Sequence, residues 1–194
     1  MKKILIIIIS FNLCFNHVFS TEPDIFVQST VNKASQVLSR NISKEEKMNA
    51  LKNVAKETVD IKGIGYYSLG SARKNLNDNQ KKIYFDLFEN YFLKSFSSRL
   101  SEYTNPKIEV KGEKVLNRNY TIVNSVLVST SERPEVKIDW RIYTKNPDSP
   151  LIRDLIIEGL SLARTQKEEF ASILNSNGGD IKALFNTLED FANK

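Results

Sequence analysis

The carboxylates in the second half of the chain are the side chains best suited to act as catalytic acids or bases. Asp139 lies beside Trp140, while Asp154 and Glu158 flank the aliphatic triplet at 155–157. Two convergent carboxylates could serve as general acid and base, as in glycoside hydrolysis. Their spacing does not bring any two together, and acidic side chains at strand edges are usually solvated. We therefore predict no catalytic residues and no enzyme activity.

Histidine and cysteine, the usual nucleophiles and metal ligands, occur once each, at His17 and Cys14. Both lie in a segment with two leading lysines, an apolar stretch at 4–15 and a small-residue cleavage site ending at Ser20, the layout of a secretory signal peptide. A retained membrane anchor is disfavoured because that stretch falls well short of the ~20 apolar residues a spanning helix needs. We predict a signal peptide at 1–20, a single exported domain at 21–194, and no metal site.

The net charge is mildly basic, at +5 for the whole chain, and two of the lysines lie in the predicted signal. This charge is compatible with an anionic lipid surface or an acidic partner, and export argues against a nucleic-acid partner. Lys137, Arg141 and Arg153 could contact a phosphate, although a solvated strand face is the simpler interpretation of each.

Three closely spaced glycines do not form a nucleotide-binding loop. Gly63, Gly65 and Gly70 fit neither common phosphate motif, and no predicted strand precedes them.

The hydrophobic period changes from helical to alternating near the middle of the chain. Helical spacing predicts helices at 24–40, after Ser43, within 62–76 and from Asn77 or Asp78 through Tyr103. Four alternating runs then predict strands, and two helices near 160–175 and 180–192 end the chain. The order predicts an α+β fold with an antiparallel meander of about four strands.

The long predicted helix carries one broad aromatic stripe, at positions 84, 88, 91, 92, 96 and 103. Such a stripe is typical of a core helix packed on a sheet. It is also suited to the wall of a large apolar cavity, because aromatic side chains supply wide, stiff surface. The residues alone leave both interpretations open.

The triplet Leu155-Ile156-Ile157 must point to both faces of its strand. We expect Leu155 and Ile157 on one apolar face and Ile156 behind the sheet against a helix. Gly159 would then let the chain turn from the strand into a helix beginning near Leu160.

Four stretches in this order resemble the MlaC, or toluene-tolerance, family of periplasmic phospholipid carriers. They are YYSLGSARKNLNDNQKKIYFDLFENYFLKSFSSRLSEY, KIDWRIY, RDLIIEGLSLARTQKEEFASIL and GGDIKALFNTLEDF, and the likeness spans roughly residues 25–192. The resemblance implies a twisted antiparallel sheet of about four strands, wrapped by N- and C-terminal helices, with an internal apolar cavity holding acyl chains between sheet and helices. It implies no cofactor, with bound phospholipid as cargo. The implied partners are an inner-membrane ABC transporter complex with its MCE-type substrate-binding subunit, and an outer-membrane lipoprotein–porin complex.

The resemblance also implies a set of lipid-binding residues, carried over by matching position. They are Tyr67, Leu69, Phe88, Phe92, Val126, Val128, Ile138, Trp140, Leu155, Ile157 and Leu162. The alternative function is a periplasmic interaction module whose apolar stripe is simply a solid core.

Overall fold

The computed structural model describes residues 22–194. The predicted signal peptide at 1–20 lies outside this range. Within residues 22–194, no helix is long and apolar enough to cross a membrane.

Four helices make up the first half of the described chain. They are α1 (Pro23–Ser39), α2 (Lys44–Thr58), α3 (Ile61–Ser68) and α4 (Asp78–Leu100). Ser43 and Glu46 form the predicted capping box of α2, and Asn77 caps α4 by accepting from the Gln80 N–H. The glycine-rich segment predicted to be a short or irregular helix is α3, followed by one 3-10 turn at Ala72–Lys74.

The sheet has five antiparallel strands that are neighbours in chain order. They are β1 (Ile108–Asn117), β2 (Tyr120–Leu127), β3 (Val136–Tyr143), β4 (Leu151–Ile157) and β5 (Leu160–Ser161). This open meander confirms the predicted α+β class. The count differs from the expected four because β5, with two residues, is too short to show an alternating pattern.

The turn after β4 corrects the prediction that Gly159 leads directly into a helix. Glu158 and Gly159 both have positive φ, 49° and 84°, and Ile157 pairs with Leu160 across them. Two central residues with positive φ are what the tightest hairpin turns require. The chain therefore folds back on β4 as β5 before the next helix begins at Leu162.

Two helices complete the fold: α5 (Leu162–Ser176) and α6 (Ile181–Asn193). The strands are approached mainly by α1, α3 and α5, whereas α4 packs mainly against α2, α6 and α3. Helix α4 therefore lies in the helical layer, and its aromatic side chains share one buried cluster with residues of the sheet.

The buried apolar residues fall into two clusters. The interior cluster lies between the helices and one face of the sheet and includes Val123, Ile138, Trp140, Ile142, Ile152, Tyr84, Phe88, Phe170, Leu184 and Leu188. The end cluster is small: Val37 and Leu38 of α1 and Leu51 of α2, with Leu100 and Tyr103 packed against them.

Candidate functional site

The inner face of the sheet, defined as the face that meets the interior cluster, is apolar through its centre. Ile138, Trp140 and Ile142 are buried at alternate positions of β3, as their spacing predicts. Leu155 and Ile157 of β4 pair with Trp140 and Ile138 and so share this face. The aliphatic triplet thus divides as expected, with Ile156 on the outer face.

A β-bulge enlarges the apolar area that β4 contributes. The pairing passes from Arg141–Asp154 to Ile142–Ile152, which leaves Arg153 as an extra residue. Without it, Ile152 and Leu155 would point to opposite faces, because they are three positions apart. The bulge lets both face the interior cluster and turns Asp154 to the outer face.

Trp140 is fixed by a buried hydrogen bond. Its indole N–H donates to Ser125 Oγ over 2.8 Å, and the Ser125 hydroxyl donates to the Ile138 carbonyl over 3.0 Å. Because the only polar atom of the indole has a partner, the rest of the ring presents an apolar surface. Ser125, on β2, was not predicted, since a lone serine in a strand carries no sequence signal for this role.

Aromatic rings of α4 and α5 form the opposite wall. The Phe88 ring centroid lies 5.7 Å from that of Tyr84 and 6.1 Å from those of Phe170 and Phe92. Phe170 meets Phe88 nearly edge to face, at 89°, an arrangement that aromatic pairs favour. Phe170 was also missed, although Ala163, Phe170 and Leu174 have the spacing of one buried face of α5.

Gly65 allows α3 to pack directly on this aromatic wall. A Cβ at this position would lie 2.7 Å from Cδ1 of Phe88, which is closer than real Cβ contacts. The Tyr84 hydroxyl donates to the Gly65 carbonyl over 2.9 Å, and burial raises the pKa of Tyr84 well above its usual range. Tyr84 therefore remains a neutral donor and holds α3 to α4.

Six of the eleven predicted lipid-binding residues meet at the interior cluster. Leu69, Phe88, Ile138 and Trp140 are buried in it, and Phe92 and Leu155 pack against it half-buried.

The other five lie at its margin or beyond it. Ile157 is half-buried on the inner face at the end of β4, and Val128 follows β2. Val126 lies on the outer face, because alternation places it opposite the buried Val123 and Ser125. Tyr67 lies near the end of α3, and Leu162 is the first residue of α5. Each of these two side chains is 43% exposed.

The candidate carboxylates all stabilise local structure. Asp154 is buried and accepts from the Ser161 hydroxyl (2.6 Å) and the Ala163 N–H (3.0 Å), which fixes the start of α5. Asp139 accepts from the Asn124 amide over 2.8 Å, and Glu158 accepts from the Lys137 N–H. Across residues 22–194, no group of three or more His, Cys, Asp or Glu side chains is placed to hold a metal ion.

Two of the candidate phosphate-binding cations are held by carboxylates. Arg153 Nε lies 2.6 Å from Asp60 Oδ2, with its guanidinium over the Tyr143 ring, and Arg141 lies 3.7 Å from Asp154. Arg153 is therefore not available as an unpaired anion site. Arg141 is held less tightly, because the 3.7 Å contact is too long for a hydrogen bond and its buried Nε has no hydrogen-bond partner among residues 22–194.

A surface cleft of about 360 Å³ between α2 and α4 is lined by polar side chains and Leu93. This cleft includes none of the predicted lipid-binding residues. The candidate site is instead the apolar region between α4 and the inner face, because six of the predicted residues meet there.

Comparison with known families and structures gives one consistent assignment. The family model described as "MlaC protein" matches residues 28–190, which contain every strand and most of every helix. The chain belongs to the MlaC family.

Individual relatives agree with this membership. The chain is 24% identical over 168 residues to the "Intermembrane phospholipid transport system binding protein MlaC" of Haemophilus influenzae, a match that covers 82% of this chain and 78% of that protein. Among solved structures, it is similar to a phospholipid-binding protein from Ralstonia solanacearum in complex with a phospholipid. The TM-score is 0.75 at 18% identity, covering 89% of this chain and 97% of that one, which shows that the two proteins share a fold.

Proposed function

We propose that this MlaC-family chain is a soluble, non-catalytic periplasmic carrier that binds phospholipid and shuttles it between inner- and outer-membrane complexes. The acyl chains of the bound phospholipid would lie in an internal apolar cavity between α4 and the inner face of the sheet. The protein would form a single carrier domain at 21–194. Phospholipid as the cargo is supported by two similar proteins, one from an intermembrane phospholipid transport system and one solved in complex with a phospholipid.

The separation of α4 from the strands is the observation that carries this proposal. The backbone of α4 packs mainly on other helices, while its aromatic side chains belong to the same buried cluster as the inner face of the sheet. Trp140 and Phe88 come from opposite sides of this cluster. Rotation of such side chains, with small helix shifts, would admit acyl chains without breaking the sheet ladder.

The energetics favour a carrier that exchanges its cargo. At about 0.8 kcal/mol per buried methylene, two acyl chains gain on the order of 20 kcal/mol on leaving water. A bilayer offers nearly the same gain, so net affinity is a small difference between two apolar environments. Docking at a membrane complex can then reverse the balance and release the lipid.

The expected partners follow from this role. We propose an inner-membrane ABC transporter complex with its MCE-type subunit at one end of the route and an outer-membrane lipoprotein–porin complex at the other. No cofactor takes part, since the bound phospholipid is cargo, and the carboxylates hold structural hydrogen bonds instead of facing the apolar region.

Native mass spectrometry of gently purified protein tests the cargo, and Leu155→Trp tests its location. Wild-type protein should carry phospholipid, recovered by organic extraction. A tryptophan at Leu155 would fill space beside Trp140 and should strongly reduce the lipid-bound fraction while the fold is kept.

Leu100→Trp, at a half-buried leucine of the end cluster, is the matched control and should leave the lipid-bound fraction unchanged. If the wild-type protein shows only the mass of the polypeptide and yields no extractable lipid, the carrier proposal is contradicted. Destabilisation by Leu155→Trp of ~1–3 kcal/mol in a lipid-free protein would instead indicate a solid core, as in an interaction module.

A further inference from the structure

One corner of the surface combines three cations with three aromatic rings. We call it the cation–aromatic patch and define it as Lys62, Tyr66 and Tyr67 of α3, Arg73 of the following turn, Phe85 of α4 and Lys167 of α5. Tyr66 and Tyr67 are 46% and 43% exposed, so both rings are partly open to solvent.

Each cation of the patch lies over one ring. Lys62 Nζ is 5.5 Å from the centroid of Phe85, Arg73 Cζ is 4.9 Å from that of Tyr66, and Lys167 Nζ is 5.2 Å from that of Tyr67. The Tyr66 and Phe85 rings are stacked, with centroids 6.4 Å apart. The rings therefore hold the cations in place and keep them at the surface.

The positive charge of the patch is not neutralised by ion pairs. Within residues 22–194, none of the three cations lies within ion-pairing distance of a carboxylate. Residues 61–77 include no aspartate or glutamate. The acidic residues that flank this segment are both engaged, Asp60 with Arg153 and Asp78 with Lys81.

We propose that the cation–aromatic patch docks the protein on a bilayer surface rich in anionic lipid. Exposed tyrosines prefer the interface between headgroups and acyl chains, and lysine and arginine beside them attract anionic headgroups. Helix α3 also links this surface to the candidate site, because Gly65 on its buried side contacts Phe88 and the next residue after the helix, Leu69, is buried in the interior cluster. The proposal does not depend on what the interior binds, since it concerns the outer surface of α3.

Vesicle co-sedimentation of the purified chain tests the docking surface. Wild-type protein should bind vesicles of phosphatidylglycerol and phosphatidylcholine at low salt, bind vesicles of phosphatidylcholine alone much less, and dissociate as salt is raised. The triple variant Lys62→Gln, Arg73→Gln, Lys167→Gln should bind the anionic vesicles at least about tenfold more weakly, because each basic residue near such a surface contributes appreciably. Tyr66→Ser with Tyr67→Ser should also weaken binding.

A charge-matched triple variant, Lys44→Gln, Lys114→Gln, Lys145→Gln, alters exposed lysines on other parts of the surface and should bind within about twofold of wild type. Circular dichroism establishes that each variant is folded, and the single exposed change Lys62→Glu provides the same comparison if the triple variant does not fold. No binding of wild-type protein to anionic vesicles, as expected if an acidic protein is the true partner, would overturn the proposal. An equal loss in the two triple variants would also overturn it, because binding would then follow overall charge.

Discussion

Helix α4 contributes side chains to both the interior cluster and the end cluster, yet the two clusters join it to the rest of the protein differently. At the end cluster, Val37 and Leu38 of α1 pack with Leu51 of α2, and Leu100 of α4 and Tyr103 pack against them. In the interior cluster, aromatic rings of α4 pack on Phe170 of α5 and belong to the same cluster as the inner face of the sheet. Where helices pack directly on one another, no layer of side chains lies between them that could move apart. A layer of large side chains can rearrange to admit a ligand. The same helix therefore serves as a fixed support at one end and as a proposed cavity wall at the other.

The largest effect on stability should come from Leu51→Ala, which removes buried side-chain atoms from the end cluster. Leu51 is fully buried, and truncating such a leucine costs about 2–5 kcal/mol of unfolding free energy. Denaturant unfolding followed by circular dichroism measures this loss. The lipid-bound fraction of the molecules that remain folded should be unchanged; a parallel loss of lipid would mean that the two clusters do not act separately.

A smaller effect, confined to the interior cluster, is expected from Gly65→Ala. The new methyl group would meet the Phe88 ring, and overpacking of this kind costs about 1–3 kcal/mol. Lipid content should change as well, because Phe88 must move.

Phe88→Leu combined with Gly65→Ala provides the control in a double-mutant cycle. The pair should cost less than the sum of the single changes, since leucine relieves the contact. Additive losses would show that the close approach of α3 to the aromatic wall does not cause the effect.

The smallest effect is expected outside both clusters, at the ion pair of Asp60 and Arg153. Asp60→Asn keeps an oxygen to accept from the Gly63 N–H but leaves the half-buried guanidinium without its counter-charge, which should cost about 1–2 kcal/mol. Glu57→Gln breaks the exposed pair with Lys33 and should change the unfolding midpoint little. Equal losses in the two variants, measured by denaturant unfolding, would count against a special role for the half-buried pair. Lipid content should not respond to either change.

Periodicity predicted much of the fold because each element has one dominant spacing. The alternation of Ile138, Trp140 and Ile142 identified the inner face of β3, and the Ser43–Glu46 pattern identified the start of α2. The hairpin at Glu158 and Gly159 was missed, since β5 is too short for alternation to show. A Glu-Gly pair also gives a weaker turn signal than the asparagine or aspartate that usually precedes glycine there.

The candidate site could be predicted only in part, because its geometry depends on contacts between distant segments. Gly65 against Phe88 and Ser125 beneath Trp140 are tertiary contacts that local patterns do not encode. The bulge at Arg153 likewise changes which β4 side chains face inward, and no sequence motif marks it. The lipid-binding role of the six residues that meet at the interior cluster stays a prediction.

Photo-crosslinking along α4 tests the central claim most directly. A photoreactive phenylalanine analogue is placed at Phe92, half-buried against the interior cluster, or at Leu100, half-buried against the end cluster, and the protein is irradiated as purified from its host. We predict a phospholipid adduct, identified by its mass, at position 92 and none at position 100. Equal adducts at both positions, or an adduct at position 100 alone, would contradict the placement of acyl chains between α4 and the sheet.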